Sequence, residues 1–129
     1  MEVNKNLVGQ LNEAIQKLAT KTNLDVFLPG VVNVTHYVPI LLYNFTNDST
    51  VYLGVEVKAD STVKVLSVLM PTSYFLTAAN FIAGLKLQPL KADDMGGFAG
   101  FENEIYLVYL DLEGTPGRMM MIIKRKGYF

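Results

Sequence analysis

Two alternating runs near the C-terminal end constrain the fold more than any other feature of the chain. Residues 105 to 112 and 118 to 125 flank Gly114-Thr115-Pro116-Gly117, a stretch typical of a turn. Pairing Glu113 with Arg118 puts the apolar side chains of both runs on one face. That apolar set is Val108, Leu110, Leu112, Met119, Met121 and Ile123. The pattern predicts an antiparallel hairpin with one buried face, from which Met120 points away.

Two further alternating runs, residues 51 to 58 and 62 to 70, predict a second hairpin around the turn residues Ala59, Asp60 and Ser61. The predicted register sets Val57 opposite Val63 and Val55 opposite Val65, so apolar pairs share one face. The other face carries Tyr52, Gly54, Glu56 and Lys58, and the same register sets Glu56 opposite Lys64 there. Before this hairpin, residues 37 to 45 predict one strand, which Pro39 places at a sheet edge or at a bulge.

Two helices are predicted. The first spans about residues 5 to 21, with apolar residues at helical spacing and Asn4 as its cap. The second runs from Ser73 to about Leu85 and is apolar around nearly its whole circumference. A helix on one sheet needs an apolar arc of only about 100°, so we expect this helix to contact a second subunit as well. The predicted interface consists of Tyr74, Phe75, Ala78, Phe81, Ile82 and Leu85.

These elements predict a single α+β domain over residues 1–129, in the order α-β-β-β-α-β-β with one further early strand possible at residues 31 to 34. We expect a mainly antiparallel sheet carrying the N-terminal and central helices on one face. The element order resembles that of bacterial secretion chaperones and, less closely, of roadblock or profilin-like modules. The resemblance implies a small protein that dimerises and binds other proteins. The resemblance is one of element order and not of a sequence motif, and the third helix typical of secretion chaperones has no counterpart in this sequence.

Composition favours a partner surface over a charged ligand. Half of the 129 residues are hydrophobic and 18% are charged, with a net charge of −1, so the chain covers its own surface poorly. Two long uncharged stretches are interrupted by proline and polar residues, and we expect no membrane span. With no cysteine and no signal peptide pattern, a cytoplasmic location is expected.

Few residues suggest chemistry. His36 is the only histidine and has no partner that the sequence can place. The acidic Gly-rich segment 91–103 matches neither a calcium loop nor a phosphate loop. We therefore expect no catalytic residue, no metal and no cofactor, and leave open whether the protein is an enzyme. This segment is predicted to be the most mobile internal loop.

Three functions follow, in order of preference. The first is a non-catalytic protein-interaction or structural module that forms a homo-oligomer and binds another protein. The second is a nucleic-acid-associated protein that uses the basic C-terminal strand, through Arg118, Lys124, Arg125 and Lys126. The third is a small-ligand-binding or enzymatic domain with loop 91–103 as a lid.

Overall fold

The fold is an eight-stranded antiparallel sheet with one helix before it and one in the middle of the chain. The computed structural model describes residues 3–21, 30–37, 39–90 and 98–127. The helices are α1 (Lys5–Ile15) and α2 (Phe75–Gly84), and a 3₁₀ turn at Thr72–Tyr74 leads into α2. The strands are β1 (Val31–Tyr37), β2 (Ile40–Phe45), β3 (Asp48–Val57), β4 (Val63–Pro71), β5 (Gln88–Pro89), β6 (Phe98–Glu102), β7 (Tyr106–Thr115) and β8 (Arg118–Arg125). The predicted α+β class, with its N-terminal and central helices, is confirmed.

The sheet is built from two successive meanders whose last strands meet at the centre. Its order is β1-β2-β3-β4-β8-β7-β6-β5, and every neighbouring pair is antiparallel. The central pairing joins residues 65–71 of β4 to residues 118–124 of β8. Short turns join β2 to β3, β3 to β4, and β7 to β8, whereas the central pair depends on α2 returning the chain across the sheet.

Both helices pack on the same face of the sheet, the inner face. Leu7, Leu11 and Leu18, in and just after α1, are almost fully buried, as are Ala78 and Phe81 of α2. Burying one leucine or phenylalanine stabilises the fold by about 1.5–3 kcal/mol relative to leaving it exposed. This apolar contact is therefore what holds the helices on the sheet.

The start of α1 is also tied to α2 by hydrogen bonds. As predicted, Asn4 caps α1, since its side-chain oxygen accepts from the Leu7 N–H at 3.0 Å. The Asn4 N–H donates in turn to the hydroxyl of the buried Thr77 at 3.1 Å. A buried hydroxyl in the first turn of an apolar helix thus accepts a hydrogen bond from the N-terminal end of another helix.

Several predicted boundaries were wrong. The strand predicted over residues 37–45 is the end of β1, a turn at Pro39, and β2, because proline stops the ladder. Helix α1 ends at Ile15 instead of residue 21, and turns follow it to Ala19, which has a φ of 64°.

The segment predicted as loop 91–103 also contains a strand. Residues 98–102 form β6, paired with β7. Gly100 lies opposite Tyr109 there, and glycine, which favours a loop in isolation, is tolerated once a partner strand binds its backbone. Residues 91–97 lie outside the described residues. The prediction that this segment is mobile falls largely on them.

The predicted register of β3 and β4 is correct at the turn and wrong beyond it. Val57 does lie opposite Val63, but an irregularity follows, and Val55 then faces Leu66 instead of Val65. Because of this bulge, Lys64 and Val65 both point away from the inner face, and Leu66 is buried in the core. All later residues of β4 therefore face the side opposite to the predicted one.

The C-terminal hairpin has the predicted register along most of its length. Val108 faces Ile123 and Leu110 faces Met121. The tip differs, because Thr115, not Glu113, pairs with Arg118, and Gly117 provides the turn with a φ of +74°. Leu112 consequently lies 43% exposed instead of in the core.

Both described helices are short: α1 has 11 residues and α2 has 10. Among the described residues, no helix is long and apolar enough to cross a bilayer.

Candidate functional site

The side of the sheet opposite the helices, which we call the open face, has an apolar centre. It is formed by the alternate residues of β2, β3, β4, β8 and β7 whose neighbours point into the core, and these residues remain partly exposed. Its central residues are Leu42, Tyr52, Gly54, Ser67, Leu69, Tyr109, Met120 and Ile122. Each of these residues is partly exposed, and apolar side chains grouped on one accessible face are a feature of interaction sites.

One half of the open face is hollow. Gly54 and Ser67 are cross-strand neighbours with small side chains, and larger side chains surround them. The resulting depression has a volume of about 290 Å³, and its walls are Leu42, Tyr52, Leu69 and Met120. The depression is large enough to hold one or two large apolar side chains.

The other half of the open face carries larger side chains. Ile122 of β8 lies beside Tyr109 of β7, directly across the ladder from Ser67. The ammonium group of Lys124 lies 6.0 Å from the centre of the Tyr109 ring, a cation–π distance worth about 0.5–1 kcal/mol.

Charged groups surround this apolar centre without one sign prevailing. Arg118 extends from β8 so that its guanidinium lies 5.9 Å from the centre of the Tyr52 ring, and it donates to the Thr50 carbonyl at 3.3 Å. Glu56 of β3 and Asp111 of β7 lie on the same face as Lys124. An apolar centre with a mixed polar rim is the usual anatomy of a protein interface.

The structure separates the residues of the predicted helix interface. Ala78, Phe81 and Ile82 are buried within the chain, and Tyr74 and Leu85 are partly buried beside them. Of the six, only Phe75 is largely exposed, at 47%. The side of α2 that carries Phe81 meets the sheet, so any partner of α2 contacts Phe75 and its neighbour Leu76.

The four basic residues proposed for nucleic acid do not form one patch. Arg118 and Lys124 lie six residues apart on the open face, each over an aromatic ring. Lys126 pairs with Glu102 at 3.2 Å, and Arg125 alternates to the other face of β8. The four cations are thus divided between the two faces of β8 and the residue after it, and their contact with nucleic acid stays a prediction.

Most of the loop proposed as a lid over an active site, residues 91–97, lies outside the described residues. The side chain of His36, the only histidine, lies outside them as well. A second depression of about 260 Å³ lies between α2 and the β5–β6 edge. It is lined by Phe75, Ala79, Ile82, Ala83, Leu87, Pro89, Phe101 and Leu110. None of the eight described residues that line it is an acid, a base or a nucleophile, and the described part of the chain contains no group of three metal-ligating side chains.

One polar cluster joins the start of β3 to the turn before α2. The Tyr74 hydroxyl donates to the Asp48 carboxylate, and the Thr50 hydroxyl donates to it at 2.5 Å. Burial raises the pKa of Asp48, but the hydrogen bonds from Thr50 and Tyr74 outweigh it and lower the pKa below its usual value. The bond to Asp48, with burial second, raises the pKa of Tyr74. An ionised Asp and a neutral Tyr suit a structural clamp between α2 and the sheet.

We expect Tyr74→Phe to lower the free energy of unfolding by about 1 kcal/mol at neutral pH, because a partly exposed hydrogen bond to a charge is lost. The lowered pKa of Asp48 contributes stability above its unfolded value of about 3.9, and this contribution disappears as the pH falls through the folded pKa. The raised pKa of Tyr74 contributes stability below about 10, and this is lost as the pH rises through the folded pKa. Urea unfolding across pH should show the wild-type advantage shrinking at both ends. An equal difference at every pH would exclude the clamp.

Part of the open face was predictable from the sequence, and the rest was missed. Alternation in β3 already pointed Tyr52 and Gly54 away from the core, and Met120 was expected to point outward. Leu69 and Ser67 were missed, because the bulge after Val63 reverses their side.

Comparison of the chain with protein-family models, with curated proteins and with solved structures found no significant match.

Proposed function

We propose that this chain is a non-catalytic interaction module that associates with itself through the open face of its sheet. The observation that supports the proposal is the apolar centre of that face, on the strands in the middle of the sheet. A sheet whose two faces are both apolar at the centre is stabilised by a layer on each. Here α1 and α2 cover the inner face, and a second copy is the layer that we propose for the other.

The size of the open face sets the area that a dimer would bury. Its five strands, in the order β2-β3-β4-β8-β7, contain four strand spacings, which at about 4.8 Å each make the face about 19 Å wide. Three outward residues along each strand, with their side chains, cover about 20 Å. Each copy would thus contribute on the order of 400 Å², and a pair would bury about 800 Å², the size of a weak interface.

The open face supports this proposal better than α2 does. In the core, Ala78, Phe81 and Ile82 account for one side of α2, and its exposed side carries the apolar Phe75, Leu76, Ala79 and Ala83. Only Phe75 and Leu76 of these are large, and two exposed large side chains are ordinary for a protein surface.

Light scattering during size-exclusion chromatography tests the proposal at tens of micromolar protein. We expect a mass of twice 14.3 kDa. Met120→Lys should give a folded monomer, because it places a charge in the apolar centre that the partner would have to bury.

The matched control is Leu76→Lys, which introduces the same charge on the exposed side of α2 and should leave the dimer intact. A monomeric wild type would refute self-association. A dimer disrupted by Leu76→Lys, and not by Met120→Lys, would move the interface back to α2.

The basic C-terminal strand should bind nucleic acid only weakly. About four separated cations would give a low affinity that falls steeply with salt. Fluorescence anisotropy with short single- and double-stranded oligonucleotides at physiological salt measures this. Submicromolar binding that disappears in a Lys124→Ala, Arg125→Ala, Lys126→Ala triple variant would favour the nucleic-acid function instead.

A further inference from the structure

The order of side chains across the open face indicates how two copies fit together. We infer that a second copy docks with its Tyr109 and Ile122 in the depression over Gly54 and Ser67, and that the fit is reciprocal. This inference rests on the proposed self-association and adds its geometry. The two copies are related by a twofold axis that runs parallel to the strands, between β4 and β8, in the plane of the interface.

One row of cross-strand neighbours crosses the middle of the open face. The ladders of the sheet align one outward residue from each of five strands. In spatial order they are Leu42, Gly54, Ser67, Ile122 and Tyr109. The β3–β4 half of this row has the small residues Gly54 and Ser67 at its centre, and the β8–β7 half has the larger side chains of Ile122 and Tyr109.

A twofold axis between β4 and β8 places each strand of one half over its counterpart in the other half. Ser67 then faces Ile122 of the second copy, and Gly54 faces its Tyr109. At both positions a large side chain meets a small one, which is the shape complementarity that close packing requires.

In the same arrangement, the charged residues that flank the row also form pairs of opposite charge. The Arg118 guanidinium lies over Tyr52 on β3, so it faces β7 of the second copy, where Asp111 follows Tyr109 on the same face. The Lys124 ammonium lies over Tyr109 on β7, so it faces β3 of the second copy, where Glu56 follows Gly54. Opposite charges therefore meet on both sides of the apolar row, which favours this partner and this register.

The axis direction also agrees with the packing of sheets. Rotation about an axis parallel to the strands keeps the two sets of strands aligned, within the roughly 30° that sheet twist introduces. Twist makes the outer strands of two packed sheets diverge. The contacts on which this geometry depends lie on the four central strands, β3, β4, β8 and β7.

Two single variants mixed in one tube test this geometry. Gly54→Leu fills the depression. A Cβ at this position meets Ser67 Cβ at 3.5 Å, an ordinary contact, so the variant should fold. Tyr109→Ala removes the large side chain. Each variant alone should dimerise at least tenfold more weakly than the wild type.

In the mixture, the leucine side chain introduced by Gly54→Leu meets the space vacated by Tyr109→Ala in the other chain. At the symmetry-related contact, the unchanged Tyr109 of the first variant meets the unchanged Gly54 of the second, so both contacts fit. We expect native mass spectrometry, which resolves the two variants by mass, to show the heterodimer at least tenfold above its statistical proportion. Gly54 and Tyr109 are three strand spacings apart in one chain, about 14 Å, so coupling within a chain cannot produce this result.

The possible results distinguish a failure of self-association from a failure of the docking geometry. A monomeric wild type would overturn the proposed function and this inference together. A dimer that Met120→Lys dissociates, but whose Gly54→Leu and Tyr109→Ala variants mix only statistically, would overturn this geometry alone. If Gly54→Leu does not fold by circular dichroism, Ser67→Leu mixed with Ile122→Ala makes the same test at the neighbouring position, with the same expected excess of heterodimer.

Discussion

Replacing Phe81 with alanine should remove most of the stability of the fold. Phe81 lies in the middle of α2 with 1% of its surface exposed, in the core cluster that α1 and the inner face of the sheet complete. Truncating a buried phenylalanine typically costs about 3–5 kcal/mol, through lost burial and the cavity left behind. Domains of this size are stable by only about 5–15 kcal/mol. Urea unfolding followed by circular dichroism should show a large fall in the midpoint.

The matched control is Phe75→Ala in the same helix. Phe75 is 47% exposed, so its truncation should cost well under half as much. The sequence pattern alone placed Phe81 in a subunit interface, where its substitution would dissociate an oligomer and preserve the fold. If Phe81→Ala proves nearly as stable as the wild type, the packing of α2 described above is wrong.

Met121→Lys should prevent folding at ordinary temperature. Met121 is fully buried on β8, at the centre of the sheet and opposite Leu110. Placing an unpaired ammonium group at such a position is among the most destabilising substitutions, and it lowers the free energy of unfolding by on the order of 5 kcal/mol. We expect loss of the folded circular dichroism spectrum, or an unfolding midpoint too low to leave a native baseline.

Met120→Lys provides the control one residue away. Met120 points to the open face, so the same new charge remains in water when the chain is monomeric and the fold should persist. A dimer of this variant with wild-type affinity would contradict the proposed interface. Equal loss of folding in both variants would contradict the assignment of faces along β8.

The parts of the fold that were predicted correctly from the sequence are those in which neighbouring residues decide the outcome. Asn4 caps α1 because capping involves only the first turn. The β7–β8 ladder was predicted correctly because a short turn leaves few registers, and only one of them keeps Leu110 and Met121 together. Strand β6 was missed for the corresponding reason, since its pairing with β7 is not visible in a Gly-rich segment read alone.

The candidate site was predictable only in part. The low charge and high apolar content predicted a partner surface, and alternation pointed Tyr52 and Met120 outward. The location assigned to that surface was α2, because the apolar circumference of a helix does not show how much of it the same chain covers. The bulge after Val63, which puts Leu69 on the open face, has no signature in the residue types around it.

Residue types and their spacing were enough to specify the class of the fold, both helices and the two hairpins, because capping, turn chemistry and side-chain periodicity act over a few residues. Tertiary packing was needed to establish which strands meet at the centre of the sheet and which apolar side chains remain uncovered. Both outcomes depend on contacts such as that of Ser67 with Ile122, 55 residues apart along the chain. Such contacts form because burial is shared among all elements of the core at once, and no short stretch of sequence contains that information.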